Sequence, residues 1–408
     1  MKVALLHYSA PPVVGGVESV LGHHARLLAS AGHQVRILAG RGAQTDERVP
    51  FVHIPLADSR HPQILEVKAS LDAGRLPEKF HELSDLLLRE LQLALEGVEV
   101  LICHNVCSLS KNLPLTTALR QLEEKPNSPR LVLWHHDLAW TTPRYRAELH
   151  PGFPWELLRQ AWPGAIQVTV SDLRSTELSE LFNLPEGLIT VVPNGIDTRS
   201  FLKLESWSSQ VMDDLGLLSA TPLLLLPVRI TPRKNIELAL KTLAVLQAEY
   251  PRAALVVTGP LGPHNPANTD YFARLIALRR DLHLEKSAIF LAELSEEYLP
   301  DAVVADFYRL ADALIFPSRE EGFGIPVLEA GLAGLPVFCA DIPPLRALGG
   351  EEASYFSPEA LASEVAGLIS ARLAADPVYR LKARVKAEYT WEQVYSERIA
   401  PLLLSIIE

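Results

Sequence analysis

One feature of the sequence limits the possible folds more than any other: short apolar runs alternate with helix-forming segments along the whole chain. Residues 3–7 form the first such run, a helical pattern covers residues 17–31 up to a glycine, and a second apolar run covers residues 34–39. Strands that are joined by helices pair in parallel, and the helices cover both faces of the sheet. The sequence therefore predicts the α/β class with doubly wound sheets.

The series is interrupted once, by the polar and irregular residues 197–221, and starts again with the apolar run 222–228. A chain of 408 residues is long enough for two domains with separate cores. We therefore predict a Rossmann-like domain over residues 1–200 and a second over 201–388. A final helix over residues 389–408 carries apolar residues along one side.

Composition excludes several classes of partner. Apolar residues make up 48% and charged residues 21% of the chain, as in globular proteins, and the net charge is −11. This charge disfavours nucleic acid or an anionic membrane as the main partner. No apolar run approaches the ~20 residues that span a bilayer, and three cysteines provide neither a disulfide framework nor a zinc site. We expect a cytoplasmic protein.

The most informative stretch is SREEGFGIPVLEA, residues 318–330. It follows the apolar run 313–316 and leads into a predicted helix at 325–333, so its glycine loop lies at a helix N-terminus, where anions bind. Glu321 and Glu329 are eight positions apart and fall on roughly the same side. Carboxylates accept hydrogen bonds from hydroxyl groups, which indicates a sugar or ribose ligand.

A basic loop follows the apolar run 222–228. It contains Arg229, Arg233 and Lys234, and a helix is predicted from residue 236. Cations at a helix N-terminus oppose the helix dipole unless an anion lies between them. A solvated surface turn is the simpler interpretation. We favour a diphosphate-binding site, because this loop and the acidic loop are expected at the same edge of the sheet.

Polar residues are also expected at the C-terminal ends of strands in the first domain. Ligands bind at the C-terminal ends of the strands in open α/β sheets, and four polar residues are expected there: His7, His104, His136 and Ser171. His136 is the strongest candidate, since the adjacent Asp137 could fix the tautomer of its ring. The neighbouring His135 points to the opposite face of the strand, and Ser171 is placed to cap the next helix.

Two further stretches of the first domain have two interpretations each. Gly15-Gly16 ends the first loop before a helix, which suits either a tight turn or the close approach of a ligand. Residues 137–162 are rich in aromatic residues and form either a helical hairpin packed on the domain or a lid that stacks on an acceptor sugar.

These features together resemble the retaining glycosyltransferases of family 4, which have two domains facing a cleft (the GT-B fold). The resemblance covers nearly the whole chain, and its most specific part is the Glu-x7-Glu motif in PSREEGFGIPVLEAGLAGLPV, residues 317–337. Four other segments match the family: VRITPRKNIE, VVPNGID, HHDL and PPVVGGVE. In this family the C-terminal helix crosses back to the first domain.

The resemblance implies roles for particular residues. Arg229 and Lys234 would hold the nucleotide diphosphate and stabilise it as a leaving group, Glu329 would bind the ribose hydroxyls, and Glu321 would lie beside the transferred sugar. The other implied donor-binding residues are Gly15, Gly16, Gly322, Phe323, Gly324 and Ile325. His136 would touch the sugar from the first domain. We count Glu321, His136, Arg229 and Lys234 as the candidate catalytic residues.

The implied reaction moves a hexose from a nucleotide diphosphate sugar, of the GDP-mannose or UDP-glucose type, to the hydroxyl group of a soluble acceptor. No Asp-x-Asp motif occurs, so we expect that the cations replace a metal ion and that no cofactor is needed. The alternatives are a sugar phosphorylase, a nucleotide-sugar epimerase and a non-catalytic nucleotide-sugar-binding protein. The nucleotide, sugar, acceptor, linkage and oligomeric state stay open.

Overall fold

A computed structural model describes residues 1–185, 187–261, 266–295 and 299–407 of the chain. The chain divides into two compact units, and the first unit is discontinuous: Met1–Gly195 joins with Trp391–Glu408, and Ile196–Thr390 forms the second unit. The sequence placed the boundaries at residues 200 and 388. Among the described residues, no helix combines the length and the apolar character that crossing a membrane requires.

The first unit contains a parallel sheet of seven strands in the order β3-β2-β1-β4-β5-β6-β7. The strands are β1 (Lys2–Ser9), β2 (Gln34–Arg41), β3 (Phe51–His53), β4 (Val100–His104), β5 (Arg130–His135), β6 (Ile166–Thr169) and β7 (Ile189–Val191). The helices are α1 (Gly16–Ser30), α2 (Pro62–Asp72), α3 (Lys79–Ala94), α4 (Leu113–Glu123) and α5 (Asp172–Phe182).

Alternate residues of each strand pack on opposite faces of this sheet. In β1, Val3 and Leu5 join the core under α1, whereas Ala4 and Leu6 join the core on the other face. The side-chain period of a strand is two, so β4 and β5 divide in the same way. The Ser171 side chain accepts from the Arg174 amide at 3.3 Å, which confirms the predicted cap of α5.

The second unit contains a parallel sheet of six strands in the order β10-β9-β8-β11-β12-β13. The strands are β8 (Leu223–Leu226), β9 (Ala254–Val257), β10 (Ala288–Phe290), β11 (Ala313–Phe316), β12 (Val337–Ala340) and β13 (Ser354–Phe356). The helices are α6 (Thr198–Leu202), α7 (Ser206–Asp214), α8 (Ile236–Leu246), α9 (Pro266–Asp281), α10 (Asp301–Leu310), α11 (Ile325–Leu332), α12 (Pro343–Gly349), α13 (Ala362–Ala375) and α14 (Pro377–Glu388).

Both sheets therefore have the doubly wound order, and the predicted α/β class with two Rossmann-like sheets is confirmed. The strand order reverses between β1 and β4 in the first unit and between β8 and β11 in the second. Ligands bind beyond the carboxyl ends of the strands at such a switch point. The loops that follow these two pairs of strands are therefore where we expect ligands to bind.

The chain returns to the first unit with α15 (Trp391–Val394), a π-helical turn (Tyr395–Ile399) and α16 (Ala400–Ile407). Trp391, Val394 and Ile399 are buried in the same core as Val3 and Leu5. The π-helical turn was not predicted, because the apolar spacing of this segment is that of a continuous helix.

Two regions that the sequence indicated as irregular are helical. The polar residues 58–75 predict a loop, yet α2 lies within them, and α6 and α7 lie within the irregular residues 197–221. Their sequences carry weak helical periodicity, yet Ile64, Val67 and Leu71 of α2 are buried. Tertiary packing outweighs local propensity in these segments.

The aromatic stretch 137–162 forms two short 3₁₀ turns instead of a helical hairpin. Trp155 and Trp162 are buried, and the indole N–H groups of Trp140, Trp155 and Trp162 donate to backbone carbonyls at 3.1–3.2 Å. Buried indoles with satisfied N–H groups are typical of packing. The structure thus supports the packing interpretation of this stretch over a sugar-stacking lid.

Candidate functional site

The second unit brings the basic loop and the acidic loop together. β8 and β11 are neighbours in the sheet, with Leu224 opposite Ala313 and Leu225 opposite Leu314. The loops that follow these strands are joined by several hydrogen bonds. The Asn235 side-chain amide donates to the Pro317 carbonyl at 3.1 Å, and the Arg319 amide donates to the Arg233 carbonyl at 2.8 Å. The two loops form one continuous surface at the switch point.

Lys234 and Glu321 form the centre of this surface. The Lys234 ammonium donates to Glu321 Oε1, and both side chains are about nine-tenths buried. Arg233 Nη1 lies 3.5 Å from Glu321 Oε2. The ammonium also lies 5.3 Å from the centroid of the Phe316 ring at the end of β11. A buried charge is tolerated only when it is paired and hydrogen-bonded, so each member of this pair requires the other.

Burial lowers the pKa of Lys234 from its ordinary value, and the hydrogen bond and charge of Glu321 counteract part of this shift. An ammonium group has three N–H donors. Glu321 takes one of them, so Lys234 can hold Glu321 and an anionic ligand together. A negative charge beside the ammonium would favour its protonated form further.

Arg229 lies in the loop after β8, and Glu329 lies on the helix that follows the loop after β11. Arg229 is exposed in the loop between β8 and α8. Glu329 is exposed on α11, and its Oε2 accepts a hydrogen bond from the Tyr308 hydroxyl at 2.5 Å. Burial and the neighbouring carboxylate raise the pKa of Tyr308 well above its usual range, so this hydroxyl stays a donor. Tyr308 fixes the orientation of the carboxylate and was not predicted, because it lies 21 residues away on α10.

The glycine loop before α11 exposes backbone donors. Gly322, Phe323 and Ile325 are exposed, and within the described ranges the amides of residues 322–325 donate to no protein acceptor. Gly324 is buried with a φ of 107°. Free N–H groups at a helix N-terminus bind anions and polar oxygens. The loop is suited to hold the hydroxyl groups of a ligand.

Alanine substitutions at the two glycines of this loop should affect stability differently. A Cβ atom on Gly324 would lie 2.5 Å from the Leu345 side chain, in a backbone conformation that alanine disfavours, whereas a Cβ atom on Gly322 would meet nothing within 4 Å. We expect Gly324→Ala to lower the free energy of unfolding by about 1–3 kcal/mol. Gly322→Ala should leave it within about 0.5 kcal/mol. Urea denaturation measures both, and equal losses would contradict this account.

The first unit contributes a separate group of residues. The first loop ends at Gly15, whose φ of 179° is extended backbone, and α1 begins at Gly16, where a Cβ atom would meet nothing within 4 Å. The packing of this unit therefore does not require glycine at position 16. The turn interpretation explains Gly16 poorly, and the close approach of a ligand stays the better prediction.

His136 lies just beyond β5 and is held by two residues from the end of β4. Its Nε2 is 3.2 Å from Nδ1 of His104, and its backbone amide donates to Asn105 Oδ1 at 2.8 Å. Burial lowers the pKa of His136 to about 3, and the nearby His7 and His135 add to the effect. His136 is therefore neutral at physiological pH.

The predicted role of Asp137 is wrong. Its carboxylate faces Arg144 at 3.5 Å and Arg174 at 3.8 Å instead of the His136 ring. The two guanidinium groups attract this carboxylate electrostatically. His135 is buried on the other face of the sheet, where its Nε2 lies 2.8 Å from Gln167 Oε1. The ring of His136 is thus held by another histidine, a partner that its own sequence neighbours do not indicate.

No group of three or more His, Cys, Asp or Glu side chains suited to hold a metal ion occurs within the described ranges. The candidate site consists of a buried cation–carboxylate pair, an exposed arginine, a second carboxylate and free backbone amides, all at the switch point of a doubly wound domain. This set of groups is chemically suited to a phosphorylated ligand that also carries hydroxyl groups.

Comparison with known proteins agrees with this class of site. Residues 14–200 match the family model described as Glycosyltransferase Family 4, and residues 211–378 match the model described as Glycosyl transferases group 1. The two matches cover most of the chain, and they include every candidate catalytic and donor-binding residue named above. The chain belongs to these glycosyltransferases, and its two doubly wound sheets agree with the GT-B fold class.

Two curated relatives match less than half of the chain. The serotype-specific mannosyltransferase WbdA of Escherichia coli is 32% identical over 44% of this chain and 21% of its own length. A D-inositol 3-phosphate glycosyltransferase of Thermobispora bispora is 33% identical over 44% of this chain and 40% of its own. The chain thus spans less than half of these relatives. A solved glycosyltransferase from Rickettsia africae is 14% identical over 100% of this chain and 99% of its own, with a TM-score of 0.40.

Proposed function

We propose that the protein transfers a hexose from a nucleotide diphosphate sugar to a hydroxyl group of an acceptor. The buried Lys234–Glu321 pair supports this proposal most strongly. The pair joins the basic loop after β8 to the glycine loop after β11. One ligand would therefore contact both a cation and a carboxylate. Structural packing alone does not favour burying this charge pair, because apolar residues would serve as well or better.

In the proposed reaction the glycosyl–phosphate bond breaks, the acceptor oxygen bonds to the anomeric carbon of the sugar, and the acceptor's hydroxyl proton passes to the leaving diphosphate. Negative charge develops on the diphosphate, and positive charge develops on the sugar. Lys234 and Arg229 would stabilise the leaving diphosphate electrostatically, and Glu321 and the amides of residues 322–325 would orient the sugar. Glu329, held by Tyr308, would bind the ribose hydroxyls. We further propose retention of the anomeric configuration, catalysis without a metal ion and a soluble acceptor.

The name of the Escherichia coli relative, a mannosyltransferase, makes a mannosyl donor the first candidate for this chain. We expect one of the GDP-, UDP- and ADP-sugars to raise the melting temperature by several degrees, since a ligand that binds only the folded state stabilises it. A thermal-shift series over these donors measures the effect. A matched series with sugar 1-phosphates tests for a phosphorylase. A shift with none of the nucleotide sugars would contradict the proposal.

The variants Glu329→Gln and Tyr308→Phe sharpen this experiment. Glu329→Gln should remove the donor-induced shift or reduce it strongly, because an amide is a weaker acceptor than a carboxylate for two hydroxyl groups. Tyr308→Phe keeps the carboxylate and loses only the bond that orients it, so it should reduce the shift less. The reverse order would argue against ribose binding by Glu329.

A further inference from the structure

A hydrogen bond between the buried His104 and the partly buried His136 determines what His136 can do chemically. His7, His104 and His136 lie on the face of the first sheet that α1 covers, and His24 of α1 packs 5.2 Å from the His104 ring, between centroids. The contact between His104 Nδ1 and His136 Nε2 measures 3.2 Å. One of these nitrogens must carry the proton and the other must accept it. Which one donates fixes the tautomer of both rings.

The surroundings of His104 decide between the two possibilities. Its Nε2 is buried and has no hydrogen-bond partner within the described ranges. An unpartnered N–H group inside a protein is rarer than an unpartnered acceptor. The proton of His104 is therefore better placed on Nδ1, where it can form the hydrogen bond with His136. His104 then donates from Nδ1, and His136 accepts at Nε2.

A neutral ring that accepts at Nε2 carries its own proton on Nδ1. This nitrogen of His136 has no protein partner within the described ranges, and it is not among the buried unpartnered atoms. The residue is only partly buried, so Nδ1 is the accessible nitrogen of the ring. Burial lowers the pKa of both His104 and His136, so both rings are neutral at physiological pH and the same assignment holds.

The backbone around His136 is fixed as firmly as its ring. The Asn105 side chain accepts from the amides of His136 at 2.8 Å and Asp137 at 3.0 Å. Asn105 is buried, has a φ of 59° and donates its own amide to the Trp134 carbonyl at 2.8 Å. Asparagine tolerates this left-handed conformation better than most residues. The loop therefore holds His136 in one orientation before any ligand arrives.

We propose that His104 is a positioning residue that fixes His136 as the Nδ1–H tautomer, so that His136 presents a hydrogen-bond donor and not a general base. The ligand atom that it would contact is an electronegative oxygen of a sugar-type substrate, and this part of the inference rests on the proposed function. A donor at this position would hold the sugar in place without removing a proton from it.

Nitrogen-15 NMR of the full chain, with labelled histidine in a deuterated background, tests the tautomer directly. Comparison with His136→Gln assigns the resonances. We expect wild-type His136 to show a protonated Nδ1 and an unprotonated Nε2 at pH 7. A protonated Nε2 in the wild type would overturn the proposal. This measurement needs no substrate, so its result stands whether or not transferase activity is found.

Two variants test the role of His104. His104→Asn keeps an N–H donor near the position of Nδ1, whereas His104→Leu removes it. In His104→Leu we expect the His136 proton to move wholly or partly to Nε2, and in His104→Asn we expect it to stay on Nδ1. With a donor identified, kcat should fall about tenfold in His104→Leu and recover largely in His104→Asn. An unchanged His136 tautomer in folded His104→Leu would exclude His104 as its cause. Inactivity of every protein, wild type included, would count against the proposed function alone.

Discussion

Removing either member of the Lys234–Glu321 pair is expected to reduce kcat/KM for the donor by at least about 100-fold, the usual effect of losing one preorganised transition-state contact. Lys234→Met keeps an unbranched side chain of similar length but loses the charge that contacts Glu321 and the Phe316 ring, and Glu321→Gln keeps the shape but loses the acceptor strength. Steady-state kinetics with the donor found by thermal shift measures both. Losses below fivefold would contradict a transition-state role for this pair.

Arg319→Gln is the matched control for these variants. Arg319 is an exposed cation in the same pair of loops, where it contacts Glu237 at 3.1 Å and the Pro232 carbonyl at 3.3 Å. Exposed ion pairs contribute little, so we expect kcat/KM to change less than threefold. The double variant Lys234→Met/Glu321→Gln should lose less activity than the product of the single losses, because the residues act as a unit. Multiplicative losses would show that the two act independently.

The second large effect is an acid-induced loss of stability in the first unit. Burial strongly lowers the pKa of five histidines of this unit: to about 3 for His24 and His136, to about 4 for His7 and His135, and well below the usual value for His104. The unfolded chain takes up these protons near pH 6.5, and the folded unit does not. Stability is therefore complete above about pH 6.5 and falls as the pH drops from there toward 4.

The free energy of unfolding should depend steeply on pH, because each proton that the chain takes up on unfolding changes it by about 1.4 kcal/mol per pH unit. Five such groups give a slope on the order of 5 kcal/mol per pH unit near pH 5. Urea denaturation at pH 7.5, 6.0 and 5.0, followed by tryptophan fluorescence, measures it. Trp207 is the only tryptophan of the second unit, so the signal reports mainly on the first. A midpoint that is independent of pH would contradict the prediction.

His24→Phe tests the origin of this slope. His24 is buried against Trp134 and Trp391, and neither of its ring nitrogens has a partner within the described ranges. A phenylalanine there cannot take up a proton. The pH slope of the free energy of unfolding should therefore fall by the contribution of one proton, about 1.4 kcal/mol per pH unit. His283→Asn is the control: this histidine is exposed in the other unit at a φ of 57°, which asparagine tolerates. A change of slope in the control alone would contradict the assignment.

Much of the fold follows from local patterns. Apolar runs of four to eight residues predict buried strands, and the helices between them predict parallel pairing. The same alternation placed His136 and His135 on opposite faces of β5. Helices with weak periodicity, such as α2, were missed because their apolar residues become informative only when the neighbouring core is known.

The site was predictable as a set of residues but not as a set of contacts. The motifs indicated Lys234 and Glu321 separately, one for phosphate and one for sugar. Their direct pairing depends on β8 and β11 being neighbours, across 87 residues of sequence. Tyr308 and His104 were not indicated as partners of Glu329 and His136 for the same reason. Which side chains meet is determined by strand order and register, which no local pattern contains.

The discontinuity of the first unit affects the order in which the protein can fold during synthesis. Trp391 packs against His23 and His24, and a Cβ atom on Gly195 would lie 2.6 Å from its ring. A ribosome therefore releases the whole second unit before it releases the residues that complete the first core. Until then, the nascent first unit exposes the apolar surface that residues 391–407 later cover, and it is at this stage that a chaperone would bind it.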